Sequence, residues 1–138
     1  MEISKWESIT WNFLHSITFN YTNNPTNHQK KLYTDFFYLL PNILPSLKYK
    51  KIFTEELNKL PIYLYLDNNE IFVKWLFKIH NNINKQLNKK QYDYNKFISE
   101  YKEIKINKSI KYYKNKNKIQ KIIIIILIFS IIILYLSI

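Results

Sequence analysis

Trp75-Leu76-Phe77-Lys78-Ile79-His80-Asn81-Asn82-Ile83-Asn84-Lys85-Gln86-Leu87-Asn88-Lys89 is the stretch on which the fold turns. Ile71, Trp75, Ile79, Ile83 and Leu87 recur through it at spacings of four, the period of a helix with one buried face. His80 and Asn84 are also four apart, so an imidazole and a carboxamide share a face with Phe77 and can converge on one planar ligand. Trp11 and His15 repeat that spacing near the start of the chain. Two helices facing each other with these side chains would enclose a pocket with aromatic walls and a few polar donors.

Working outward, the rest of the first hundred residues reads as helices with short punctuated turns. Trp6, Ile9, Phe13 and Ile17 line one face of a first helix ending near Asn20. Asn24-Pro25 offers a cap and a first-turn proline for a second, which carries Leu32, Phe36, Leu39 and Leu40 and is expected to end before Pro41 and Pro45. A third is expected from Ser46 to Lys59. Asp67 with Glu70 resembles a capping box that starts the fourth, and a short fifth is expected over Tyr94 to Lys105. The expected architecture is all-α: a four-helix bundle with a short fifth helix, and a C-terminal transmembrane helix after it.

That last element follows from residues 122–138, apolar except for Ser130, Tyr135 and Ser137. Starting at Ile119, with the Lys121 stem reaching back to the interface, such a helix is long enough to cross a bilayer. The expected organisation is a folded domain over 1–105, a Lys-rich juxtamembrane linker over 106–118 and an anchor over 119–138. Lysines from Lys102 to Lys121 precede the apolar run, which places the folded domain on the cytosolic side and offers anionic lipid a partner.

Composition excludes several chemistries. The chain of 138 residues has no glycine, which removes the phosphate-cradling loops of the Walker and Rossmann types. It has no cysteine, which removes disulfides, thiolate metal sites and thiol catalysis. The net charge of +11 is carried by lysine without any arginine, a poor basis for sequence-specific reading of nucleic acid. His15, His28 and His80 have no spacing that suggests a metal site.

Three segments in order resemble the Erv/ALR family of FAD-linked sulfhydryl oxidases, particularly its short viral members. Trp6-Glu7-Ser8-Ile9-Thr10-Trp11-Asn12-Phe13-Leu14-His15 is similar to the family opening W-G-x-x-x-W-x-x-L-H, with Glu7 in place of the glycine. The run from Trp75 to Lys89 is similar to W-x-x-x-x-H-N-x-x-N-x-x-L-G-K, with Asn88 in place of the second glycine. The resemblance implies an Erv-like bundle, FAD as cofactor, and FAD contacts for Trp11, His15, His80, Asn81, Asn84 and Lys89. It also implies pairing, as a homodimer or with an active relative.

Between those segments lies Leu40-Pro41-Asn42-Ile43-Leu44-Pro45-Ser46-Leu47-Lys48-Tyr49, where the family carries L-P-C-x-x-C. Ser46 and Tyr49 stand at the two cysteine positions. The family reaction converts a dithiol to a disulfide while oxygen is reduced to hydrogen peroxide, and it needs a thiolate beside the flavin. Neither a hydroxyl nor a phenol carries that two-electron couple. The expectation is a membrane-anchored, redox-inactive homologue acting as a flavin-binding or dimerising module. The alternatives are a non-enzymatic structural protein of a viral or organelle membrane, and an oxidase that borrows thiols from a partner.

Overall fold

The computed structural model describes the backbone of residues 3–136 and, within it, the side chains of residues 5–103, 107 and 110–127. The chain divides into two compact units, Met1–Tyr92 and Asp93–Ile138. The first contains α1 (Ile3–Phe19), α2 (Asn27–Ile43), α3 (Leu47–Lys59), a 3-10 turn (Ile62–Leu64) and α4 (Asn69–Gln86). Within it α4 packs against α1 and α3, while α2 packs against α3 and the 3-10 turn.

Of the residues that set the expected fourth helix, Trp75, Ile79 and Ile83 are 2% exposed or less and are joined in the core by Phe72 and Leu76, while Ile71 and Leu87 at the two ends are half-buried. Rings meet edge to face around Phe72, with Tyr21 at 4.9 Å, Tyr33 at 5.6 Å and Phe37 at 5.6 Å. Polar ends of the buried aromatics find carbonyls. Trp75 Nε1 donates to Leu60 O at 2.9 Å and the Tyr21 hydroxyl donates to Leu66 O at 3.0 Å. Glu56 on α3 is 3% exposed and is fully engaged, accepting from Lys59, Asn82 and Gln86 at 2.6–2.8 Å. It ties α3 to the solvent-facing edge of α4.

Several boundaries differ from the sequence expectations. Thr26, not Asn24, caps α2, in a reciprocal capping box with Gln29. The helix also runs through Pro41 to Ile43. Proline's fixed φ suits the last turn, where the loss is one backbone donor, and the chain leaves the helix only at Leu44, extended at φ −65° and ψ 137° ahead of Pro45. Asn68 caps α4 by accepting from Ile71 N at 3.0 Å, and Asp67 pairs instead with Lys30 at 2.6 Å.

The largest correction concerns the second unit. In place of a short fifth helix and a separate linker, α5 is one helix from Tyr94 to Leu136, 43 residues long. No glycine or proline lies anywhere in that span to stop it, and lysines and asparagines on a helix surface do not break it. Among the described residues no helix is long and apolar enough to cross a membrane. The anchor expected over 119–138 falls mostly on 128–138, whose side chains lie outside the described residues.

Candidate functional site

Helices α1 and α4 run antiparallel, and three contacts fix their register. Asn69 Nδ2 donates to Thr18 O at 2.6 Å at one end, His15 Nε2 lies 3.1 Å from His80 Nδ1 midway, and Lys89 Nζ meets the Glu7 carboxylate at the other end. The two imidazoles expected to line a pocket between the helices are thus brought into hydrogen-bond contact with each other across the helix pair.

Both are buried, His15 at 5% and His80 at 8% exposure. Burial disfavours the imidazolium, lowering the His15 pKa to about 4. It lowers His80 to about 3, helped by the proximity of His15 and the Lys89 charge. At neutral pH the pair is uncharged, so one of the two facing nitrogens carries the proton and the other accepts it. Trp11 lies flat on His80, with ring centroids 3.8 Å apart and planes within 8°, and stacks against Phe53 of α3 at 6.0 Å. Tyr92 approaches His80 from the chain beyond α4, centroids 5.4 Å apart.

Asn84 is buried beside them but its Nδ2 donates to Lys90 O at 3.2 Å. Asn81 engages Tyr92 at both ends of its backbone unit: Nδ2 donates to the carbonyl and Oδ1 accepts from the amide, each at 2.9 Å. These two carboxamides thus hold the segment after α4, a use that motif reading did not foresee. Phe77 is half-buried on the neighbouring face.

Lys89 reaches its place through the turn that ends α4. Asn88 adopts φ 55°, Asn88 N donates to Lys85 O at 3.2 Å and Lys89 N to Asn84 O at 2.8 Å. These are the paired bonds of a Schellman turn, whose left-handed residue favours glycine and next asparagine. Asn88 is therefore a backbone-compatible replacement at the family's glycine position. From there Lys89 Nζ donates to the Tyr49 hydroxyl at 3.0 Å as well as to Glu7, and sits 5.3 Å from the Tyr49 ring centroid. Burial works against the Lys89 ammonium, yet its bonds to Glu7 and Tyr49 together hold its pKa above the ordinary value. Burial raises the Tyr49 phenol, the Lys89 bond opposing and Glu7 reinforcing that rise.

Ser46 caps α3, its Oγ accepting from Tyr49 N at 3.4 Å. Tyr49 is buried edge-on against Trp6, centroids 5.0 Å apart. Each side chain at the two expected redox positions thus has a structural task. Among the described residues no group of three or more His, Cys, Asp or Glu is placed to hold a metal ion.

A helical bundle with an indole-walled, uncharged imidazole pair between antiparallel helices, next to the capped start of α3, matches one class of known proteins. Residues 8–102 match the Erv1 / Alr family, and the chain belongs to it. It is 34% identical over 95 residues to a probable FAD-linked sulfhydryl oxidase of Acanthamoeba polyphaga mimivirus, covering 68% of this chain and 66% of that protein. It is 30% identical over 109 residues to an FAD-linked sulfhydryl oxidase of African swine fever virus, covering 79% of this chain and 89% of the relative. Against the FAD-linked sulfhydryl oxidase ERV1 of Arabidopsis thaliana it spans 41% of the relative's length at 32% identity. The chain thus spans two thirds or less of the mimivirus and Arabidopsis relatives. Among solved structures, the yeast Erv1 core superposes with a TM-score of 0.64 at 25% identity, covering 69% of this chain and 79% of that one. The FAD binding domain of Erv1 from Saccharomyces cerevisiae does so with the same score, covering 89% of that chain.

Sequence reasoning missed Glu7, Glu56 and Tyr92 as organising residues. Glu56 had a visible signal, since it falls on the buried stripe Tyr49, Ile52, Phe53 and Leu57 of α3. Tyr92 had none, because its partner Asn81 reaches it only through the turn after α4.

Proposed function

We propose that the N-terminal unit is a flavin-holding member of the Erv1/Alr family that oxidises no dithiol. The observation that carries this reading is the employment of positions 46 and 49: Ser46 caps α3, Tyr49 bonds to Lys89, and the chain has no cysteine elsewhere. FAD, when bound, supplies an isoalloxazine that accepts two electrons and returns them to oxygen. Trp11, His15 and His80 fit such a group, since an indole surface and two uncharged imidazoles offer a planar heteroaromatic contact without a buried charge. Nothing at Ser46 or Tyr49 fits the dithiol half of the reaction. The test is titration of the purified protein with FAD, followed by flavin fluorescence, beside oxygen uptake with a dithiol substrate. Saturable binding without uptake above that of free FAD is expected; catalysed uptake would overturn the inactivity.

A second reading, a purely structural protein, is favoured by one observation. The Trp11 and His80 rings are already at stacking distance, which leaves no room for a third ring between them. Failure of FAD to bind would select it. Two finer features accompany either reading. Residues 119–138 act as a membrane anchor with the folded unit on the cytosolic side, and sedimentation with anionic vesicles that is lost on deleting them supports this. The exposed apolar side chains Ile9, Phe13, Leu32 and Leu39 of α1 and α2 form a pairing surface for a second copy or a cysteine-bearing relative, checked by sedimentation equilibrium of a Phe13→Glu variant.

A further inference from the structure

Residues 87–92 leave α4, turn through Asn88, and return alongside it to bring the Tyr92 ring against His80. This strap is fastened at two levels. Near its end, Asn81 holds the Tyr92 backbone and Asn84 holds the Lys90 carbonyl, both from α4 itself. At its start, Lys89 reaches across to the other helices, bonding the Glu7 carboxylate of α1 and the Tyr49 hydroxyl of α3. Two of these three groups, Glu7 and Tyr49, are the ones that depart from the family pattern quoted above, and they share one partner.

We infer that Glu7, Tyr49 and Lys89 form a latch that fastens the strap 87–92 over the His15–His80 pair and controls access to it. The inference goes beyond flavin binding and does not depend on it. A glutamate introduced alone at position 7 would be a buried carboxylate without a counter-charge, a costly arrangement. A phenol introduced alone at position 49 would bury a hydroxyl without a partner. Lys89 answers both, and the strap it belongs to is thereby tied to α1 and α3 as well as to α4. One Glu7 oxygen, Oε1, remains buried without a hydrogen-bond partner among the described residues. The other oxygen, Oε2, is the one that meets Lys89 Nζ, the counter-charge of the carboxylate.

Releasing the latch while the helices stay folded exposes the histidine pair. The probe is diethyl pyrocarbonate, which acylates neutral imidazole, with modified residues located by peptide mass spectrometry on the whole chain without added flavin. His28 is exposed and serves as the internal control. In the unaltered protein His28 reacts fast, and His15 and His80 react slowly. Tyr49→Phe, which removes one hydroxyl, and Lys89→Met, which removes the shared partner, are each expected to raise the His80 rate, by roughly tenfold or more for Lys89→Met, through a larger population of the open strap. Amide exchange at residues 88–92 rises in parallel, while that of the α4 core residues 75–83 stays unchanged. Unchanged His80 reactivity and unchanged strap exchange in Tyr49→Phe and Lys89→Met would overturn the latch. So would a rise at the strap equalled by a rise through α4, because that reports loss of the fold and not opening of a cover.

Discussion

Acidification from pH 7 to pH 5 is the perturbation to which this bundle should be most sensitive. His15 and His80 are buried and neutral, with pKa values lowered from 6.5 to about 4 and about 3, chiefly by burial. In the unfolded chain both imidazoles take up protons as the pH falls through 6.5, while in the folded chain they do not until far lower. The unfolded state therefore binds more protons across this interval and stability falls with the pH. Between pH 7 and 5 each imidazole traverses about 1.5 pH units of its window, which at about 1.4 kcal/mol per unit is about 2 kcal/mol apiece and about 4 kcal/mol for the pair. Loss continues toward pH 4 and then tapers as the folded pair itself charges. The assay is urea unfolding of the whole chain followed by far-ultraviolet circular dichroism at pH 7, 6 and 5, with His15→Asn/His80→Asn as the reference. The exposed His28 and the carboxylates are common to both proteins. A stability of the unaltered protein that is flat between pH 7 and 5, or one that falls equally in the reference, would refute the reasoning.

Other substitutions test the remaining packing and capping arguments. Asn88→Gly relieves the left-handed residue of the Schellman turn and should raise stability by a few tenths of a kcal/mol up to about 1 kcal/mol, whereas Asn88→Ala should lower it by about 1 kcal/mol, both read from urea midpoints. Glu56→Ala leaves Asn82 and Gln86 without their buried acceptor and should cost about 3 kcal/mol in the same measurement. Ser46→Ala removes a cap whose bond is long at 3.4 Å, so the expected loss is at the low end of capping effects, about 0.5 kcal/mol. Phe72→Ala empties the centre of the aromatic cluster and should cost about 3–5 kcal/mol, measured by thermal or urea unfolding.

What the sequence disclosed and what it concealed divide along physical lines. Periodicity located α4, because its buried face forces Trp75, Ile79 and Ile83 into a fixed spacing, whereas on α1 the expected stripe carries Ile9 and Phe13 exposed and it is Trp11, Leu14 and His15 that are buried. The fold and the family were legible from the same motifs. Helix ends were less legible. Asn24, Thr26, Asp67 and Asn68 are all competent caps, and the choice among them is made by tertiary contacts such as Lys30 to Asp67. Pro41 reads as a stop, yet in the final turn of α2 it forfeits only one backbone donor. The continuity of α5 was hidden by composition, since a Lys- and Asn-rich run reads as linker until the absence of any breaker is weighed. At the site, Asn88 and Glu7 both read as lost glycines, yet they are different events. Asn88 preserves a backbone conformation, and Glu7 installs a new charge with its partner three helices away in sequence. Only the Schellman turn, which carries Lys89 back to α1, connects them.

The central claim is tested most directly by one spectrum. The protein is incubated with FAD, freed of excess cofactor by gel filtration, and its visible flavin absorbance recorded under anaerobic conditions before and after a dithiol is added. The account predicts a flavin band that elutes with the protein and is bleached no faster than free FAD at equal concentration. Rapid bleaching of the bound flavin would contradict the claim that Ser46 and Tyr49 have ended thiol oxidation, and elution of colourless protein would contradict the claim that Trp11, His15 and His80 still hold the cofactor.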